Sequence, residues 1–583
     1  MDKVGVFLGP ASVNRPILLL SALVLGVISV LGFSVNSFAQ STTNPVPFIN
    51  QPLLPAATAP GGTGFTLTIN GTGFVPGAVA NWNGGPRTTT FVNSSQVTVS
   101  IIASDIAKAG TATVTMANPG GIASLPALFD ITSPVSAVGF ALAPNNLGPC
   151  PNLVGDFNRD GKMDLVACNG DLITVLLGNG DGTFNALPPI SNPAKVSPIF
   201  LVTGDVNNDG KTDLFGFEGA LDTYSTVVLG NGDGTFQPPV PFQPDHYEPH
   251  YASLAVGDFN GDGRLDLAVS ITCTNTPCGP GFVWIFLGNG DGTFQSPITY
   301  SSGFVYPTGL AIGDFNRDGK LDLVVSDDGP GTIYILFGKG DGTFQAPQPV
   351  GTFSASGVGG GAGYLATGDL NGDGKLDLVV TAQNSVSVFL GNGDGTFGPG
   401  TSFSIPPTND ELLQPVLGDF NGDGKLDLAL LLDSGVSILL GNGDGTFQPH
   451  TDINLASALP LRVGVGDFNQ DGRLDLVVAE GVLLQTTALV SPYSLIFTNQ
   501  NDGTTSAPQS VTLTNLASSA LTINSVAIGG ANALILRFSQ TPAAQPFRRG
   551  QAARSALRLR RLPRALVVRL LRSQMGLPPV RRW

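Results

Sequence analysis

Cysteine, histidine, tryptophan and methionine are all scarce. The 583 residues hold 4 Cys, 3 His, 3 Trp and 4 Met, and charged residues make up only 12%. Four Cys are too few for a fold built on disulfides. Three His leave little material for imidazole-based metal or acid–base centres. Acids outnumber bases 43 to 28, for a formal charge of −15, which argues against a nucleic-acid partner. After Asp502 there is no Asp, Glu or Lys, and 12 Arg fall at or after Arg537. Residues 1–536 therefore carry 16 bases against 43 acids. What is present is glycine (77), proline (44) and 42% apolar residues. This describes a folded chain rich in turns. The length implies several domains.

Only one segment is apolar for long enough to span a membrane. Lys3 and Arg15 precede the run 16–35, and Ser37-Phe38-Ala39 offers a small-x-small processing site. Residues 1–39 read as a signal peptide; left uncleaved, the run would anchor the chain. Either outcome places the bulk of the chain outside the cytoplasm, where disulfides are permitted. Cys273 and Cys278 could close one loop. A hairpin centred on residue 159 would set Cys150 opposite Cys168.

Self-comparison organises the middle of the chain. The pattern D-x-N-x-D-G-x-x-D occurs seven times, starting at Asp156, Asp205, Asp258, Asp314, Asp369, Asp419 and Asp467. A second pattern, G-[NK]-G-D-G-T-F, alternates with it six times, from Gly178 to Gly441. Each unit of about 50 residues reads as four short β-runs bounded by Gly, Asn, Asp or Pro. Four strands per repeat describe a β-propeller blade. The seventh unit lacks the second turn and a fourth strand. The segment 137–144 (SAVGFALA) is a spare strand that would close the ring against it.

The nine-residue loop carries the chemistry. Positions 1, 3, 5 and 9 present side-chain oxygens: Asp156, Asn158, Asp160 and Asp164 in the first copy; Asp205, Asn207, Asp209 and Asp213 in the second; Asp258, Asn260, Asp262 and Asp266 in the third. The fourth has Asp314, Asn316, Asp318 and Asp322, and the fifth Asp369, Asn371, Asp373 and Asp377. The sixth has Asp419, Asn421, Asp423 and Asp427, and the seventh Asp467, Asn469, Asp471 and Asp475. Position 6 is always Gly, and position 7, always Lys or Arg, can add its carbonyl. An all-oxygen set in a flexible loop suits Ca²⁺ better than Mg²⁺. Three carboxylates in one short loop repel one another without a cation. Up to seven Ca²⁺ are therefore expected, with the position-7 base pointing to solvent. The Gly-Asp-Gly turns form the other set of corners, and Phe184, Phe236, Phe294, Phe344, Phe397 and Phe447 are expected between blades.

The strings GDFNGDGRLDLAV and LGNGDGTFQ resemble the FG-GAP/VCBS repeats of integrin α-chain-like propellers, over roughly 137–485. The resemblance implies a seven-bladed propeller with calcium in its blade hairpins, and a role in adhesion. GFTLTINGTGFVPGAVANWNG, within 45–132, resembles the opening strands of the immunoglobulin-like IPT/TIG fold. Residues 488–533 look like the start of a second sandwich, incomplete because the composition changes at about 534. The Arg-rich tail 534–583 reads either as translation in a shifted frame or as a basic segment for an acidic surface.

The expected architecture is thus all-β: a seven-bladed β-propeller over 136–485, flanked by immunoglobulin-like β-sandwich domains. No Ser nucleophile elbow, HExxH or phosphate loop occurs. His246 and His250 flank Pro249, which rules out a zincin-like helix face. The expected function is a secreted or cell-surface calcium-binding scaffold, not an enzyme, that binds an extracellular protein or glycan. Nucleic acid is not expected as a partner, and membrane contact would come only through an uncleaved leader. The competing reading is a carbohydrate-active lyase or hydrolase built on the propeller.

Overall fold

In a computed structural model, the chain is described at residues 44–135, 138–144, 153–169, 172–191, 198–218, 225–242, 250–272, 281–301, 303–354, 363–382, 384–405, 415–432, 435–455, 463–478 and 481–486, and after 487 only in the strands named below. The leader, Cys150, Cys273, Cys278 and His246 lie outside these residues.

Residues 45–132 form a sandwich of two sheets. One runs in the order Phe48–Ile49, Phe65–Thr72, Gln96–Ile101, Thr89–Asn93. The other runs Ala57–Thr58, Ala127–Ile131, Gly110–Ala117, Val79–Trp82, Gly85–Pro86. Alternation sets the faces: in Gly110–Ala117, Ala112, Val114 and Met116 point inward. They meet Leu67, Ile69, Val97, Val99, Trp82 and Phe129 in one core.

Seven antiparallel sheets follow, one for each repeat. Blade one comprises Leu153–Gly155, Asp164–Asn169, Leu172–Gly178 and Phe184–Ala186, with Ile190–Ser191 beside its third strand. Blades two to six open on Pro198–Gly204, His250–Gly257, Pro307–Gly313, Leu365–Gly368 and Pro415–Gly418. Blade seven consists of Gly464–Gly466, Asp475–Val478 and Gly481–Gln485, and takes its fourth strand, Phe140–Pro144, from ahead of blade one. Phe140 pairs with Gln485 and Pro144 with Gly481. This is the closure expected from the incomplete seventh unit. First strands of successive blades lie side by side, and blade one's lies against blade seven's, so the sheets form a closed ring. The fold is an all-β propeller.

Close approach between blades explains a glycine ahead of the loops. A Cβ on Gly313 would stand 2.5 Å from the Leu376 side chain of the next blade.

Two features were not expected from the sequence. The first loop's hairpin pairs Leu153 with Val166, Val154 with Leu165 and Gly155 with Asp164. Its centre falls between Arg159 and Asp160, half a residue from the expected one. The opposite-position argument therefore no longer joins Cys150 to Cys168, since a one-residue slip exchanges the faces of a strand. Strands on either side of 533/534 also pair. Ala552–Leu562, in the Arg-rich segment, pairs with Gln509–Asn515, Leu536–Gln540 and Gln500–Thr505, and Ala488–Ser491 completes that sheet. Leu566–Arg569 pairs with Ser494–Phe497. The run LRLR within this segment alternates with the period of a strand.

Removing 136–145 strips blade seven of its fourth strand and should lower the melting temperature sharply; an unchanged melt would refute this closure.

Candidate metal centres

All seven loops fold alike. Position 4 has positive φ in every copy: Arg159, Asn208, Arg317 and Gln470 at 53–61°, and Gly261, Gly372 and Gly422 at 71–74°. The Gly at position 6 is also left-handed in every copy. The two left-handed residues wrap the loop onto its own N–H groups. In each copy Oδ1 of the position-1 Asp and the Oδ1 of the position-3 Asn accept the same N–H, that of residue 5, at 2.8–3.1 Å. The other oxygen of position 1 accepts the N–H of residue 6. The position-5 Asp accepts the N–H of residue 7.

Position 9 is arranged differently. Asp164, Asp213, Asp266, Asp322, Asp377, Asp427 and Asp475 are all fully buried. One oxygen accepts a loop N–H, from residue 2 in six copies and from Asn421 in the sixth loop, at 2.8–3.1 Å. The other accepts the N–H that opens the second turn: Gly178, Gly230, Gly288, Gly338, Gly391 or Gly441, at 2.7–2.9 Å. Each position-9 carboxylate thus clamps the two turns of its blade together. Blade seven has no second turn, and there the N–H of Gln485 takes that place at 2.6 Å.

The position-7 base stays partly exposed, with its side chain 24–47% accessible in the six loops where it forms an ion pair. In six loops it folds back to the position-5 carboxylate, at 2.8 Å for Lys375–Asp373 and up to 3.9 Å for Lys320–Asp318. Its aliphatic stem lies across the second turn, where a Cβ on Gly340 would stand 3.1 Å from Lys320 Cδ.

These arrangements separate the carboxylates by character. Burial raises position 9, to about 6 in Asp164 and Asp377 and to about 7 in Asp213, Asp266, Asp322 and Asp427, with the carboxylates of positions 1 and 5 adding to the rise. Burial also raises position 1 in Asp156, Asp205, Asp258, Asp314, Asp419 and Asp467. Position 5 is lowered in Asp160, Asp209 and Asp373, where the neighbouring lysine outweighs burial.

Among the described residues no three His, Cys, Asp or Glu side chains converge as a ready metal cluster. In the loops the carboxylates of positions 1, 5 and 9 all accept backbone N–H groups, and position 5 also meets a base in six copies. The donors open to a cation are the oxygens of positions 1, 3, 5 and 9 with the carbonyl of position 7, position 9 being the most enclosed. Positions 1 and 3 already bring their oxygens to one point, and all donors are hard oxygens.

The second turns lock the ring. The N–H of Gly182, Gly234, Gly292, Gly342, Gly395 and Gly445 donates to the position-2 carbonyl of the neighbouring loop, at 2.9–3.3 Å. The junction that lacks this turn is served by Gln485, whose Nε2 donates to the Phe420 carbonyl at 2.5 Å. As expected, the turn's Phe packs between blades: Phe236 on Phe157, Phe344 on Phe259, Phe397 on Phe315 and Phe184 on Phe468, with centroids 5.4–6.1 Å apart. Position 4 adds straps that spacing did not reveal. Asn208 donates to Gly263 O at 3.1 Å, Arg317 to Gly374 O at 2.5 Å and Gln470 to Gly161 O at 3.2 Å, each in the next loop.

Asp322→Asn should destabilise the fold by about 1–3 kcal/mol, because its amide would face an N–H donor. Gly288→Ala should cost more, since its Cβ would lie 2.1 Å from the Leu265 carbonyl oxygen. Urea unfolding checks both, and two wild-type midpoints would refute the clamp.

Two family models match the chain. A model described as FG-GAP-like repeat matches 156–216, 218–269, 272–325, 314–380, 369–430 and 419–478. One described as IPT/TIG domain matches 49–131. No curated protein matches. Solved structures that align include an Agrocybe aegerita lectin that recognises non-reducing terminal N-acetylglucosamine, at 19% identity and TM-score 0.40, covering 64% of this chain and 96% of that one. The periplasmic gluconolactonase of Pseudomonas aeruginosa aligns at 15% identity and TM-score 0.38, covering 60% and 94%. With repeats matched over more than half of its length, the chain belongs to the FG-GAP-like repeat family and carries an IPT/TIG domain ahead of those repeats.

Proposed function

We propose that the chain is an exported, calcium-stabilised propeller scaffold that holds an extracellular protein or glycan ligand without transforming it. The observation that carries this reading is the repetition of one oxygen cage seven times around a ring. Each cage sets the position-1 and position-3 oxygens on one N–H, beside a position-5 carboxylate that a lysine or arginine only partly neutralises. A divalent cation would draw these oxygens inward and relieve the repulsion among carboxylates that burial aggravates. Asp156, Asn158, Asp160, Asp164 and the carbonyl of Lys162 would hold it in the first loop, and the equivalent residues in the others. The position-9 carboxylate is the most enclosed of these donors.

Export supports calcium as the cation, because extracellular modules work with dissociation constants of roughly 10⁻⁴–10⁻³ M. Cation binding would then matter mainly as stability. A rigid propeller presents loops on two faces, which suits recognition of a large ligand. The leader segment and the family's association with adhesion support the same reading.

Calcium at millimolar concentration should raise the melting temperature, and chelator should reverse the rise. A hundredfold excess over the dissociation constant is worth about 2.7 kcal/mol per site. Atomic emission should count up to seven calcium ions per chain, and Asp369→Asn should remove one. A melting temperature indifferent to chelator would refute the metal reading. A glycan array followed by mass spectrometry of the eluted glycans tests the rest: capture of intact glycan fits a scaffold, and cleaved product would establish an enzyme.

A further inference from the structure

The loop face of the propeller is not open. The N-terminal sandwich and the propeller belong to one compact unit, Pro45–Trp583. The sandwich meets the loops of blades two, three, four, six and seven. A Cβ on the position-6 glycines would find it at once: Ile122 lies 3.0 Å from that point on Gly210, Pro45 2.6 Å from Gly263, Ser95 2.7 Å from Gly319 and Ala109 2.1 Å from Gly472. At loop six the contact is at position 4, where a Cβ on Gly422 would lie 2.5 Å from the carbonyl of Ser133. The same points on Gly161 in loop one and Gly372 in loop five have no neighbour within 4 Å.

The strand exit of the sandwich is also bonded to the loops. The N–H of Ser133 donates to Gly472 O at 2.8 Å, and that of Val135 to Asn421 O at 2.7 Å. The Thr132 hydroxyl donates to Oδ2 of Asp419, the position-1 carboxylate of loop six, at 2.8 Å, and both groups are buried. Two residues earlier, Asp130 interacts repulsively with Asp419 and Asp467, the position-1 residues of loops six and seven. Docking therefore gathers three carboxylates at one junction. A cation in each loop would offset the repulsion among them.

We propose that the loop face is the docking surface for the chain's own IPT/TIG sandwich, and that cations held by loops six and seven fasten the two together. The second half rests on the calcium reading above. Ligands are then left the opposite face and the uncovered loops one and five. Cation binding and docking are linked, so each must strengthen the other.

Hydrogen exchange at the Ser133 and Val135 amides reads the contact in the full chain. Gly422→Ala inserts a methyl group into the Ser133 carbonyl, and four other loops already carry a non-glycine residue at that position without breaking. Gly372→Ala makes the same change where nothing is near. Exchange at the two amides should quicken about tenfold or more in Gly422→Ala and stay at the wild-type rate in Gly372→Ala. Equal exchange in the two variants overturns the docking surface. Chelation, with bound calcium counted, should release the same two amides while Val97, Val99 and the core of blade five stay protected. Calcium lost with those amides still protected overturns the fastening by cations. A chain that holds no calcium overturns that half along with the metal reading, and the Gly422→Ala comparison still decides the surface.

Discussion

A buried carboxylate that accepts two backbone N–H groups holds each blade in shape. It lies at the ninth position of the loop, on the first residue of the second strand. Its two oxygens close the nine-residue loop on one side and the Gly-Asp-Gly turn on the other. Burying such a group is unfavourable unless its oxygens are bonded, and here the bonded groups are the two corners of the blade. Both corners then act on neighbours: the second turn donates an N–H to the adjacent loop and inserts a phenylalanine beside it. Blade geometry and ring geometry thus depend on one aspartate in each repeat.

Blade seven shows what the arrangement needs. It has no second turn, so it lacks both the N–H for its own clamp and the N–H for the junction with blade six. Gln485 supplies both, the first from its backbone and the second from its side-chain amide. The Phe140–Phe420 edge contact, at 6.5 Å, stands where a turn phenylalanine stands elsewhere. The ring tolerates a different sequence at this place because the same hydrogen bonds and the same apolar contact are kept.

Much of this was legible in the sequence. The repeat number, the spare strand 137–144, the inter-blade phenylalanines and the oxygen spacing are periodic or local, and such features survive without coordinates. Non-local roles did not. The second donors to the position-9 aspartates of blades one to six arrive from 14–22 residues away, so spacing alone does not reveal the clamp. The position-7 bases, expected in solvent, stay partly exposed, but spacing did not reveal that six of them also reach the position-5 carboxylate. The loop centre at residue 159 was off by half a residue, enough to remove the register argument for pairing Cys150 with Cys168. The strands at 536–569 were hidden because a change of composition looked like the end of a domain. Docking of the sandwich was invisible, since its contacts fall on glycines that repeat everywhere.

The strand Phe140–Pro144 also sets an order of events. It leaves the ribosome before any blade exists, and its partner, Gly481–Gln485, comes last. Through the emergence of six blades it is an unpaired edge, and blade seven is another until the two meet. Until then the molecule is an arc with two adhesive ends, and a second copy nearby could supply the missing strand as well as its own. The ring's sealing step is thus also its point of greatest exposure to domain exchange.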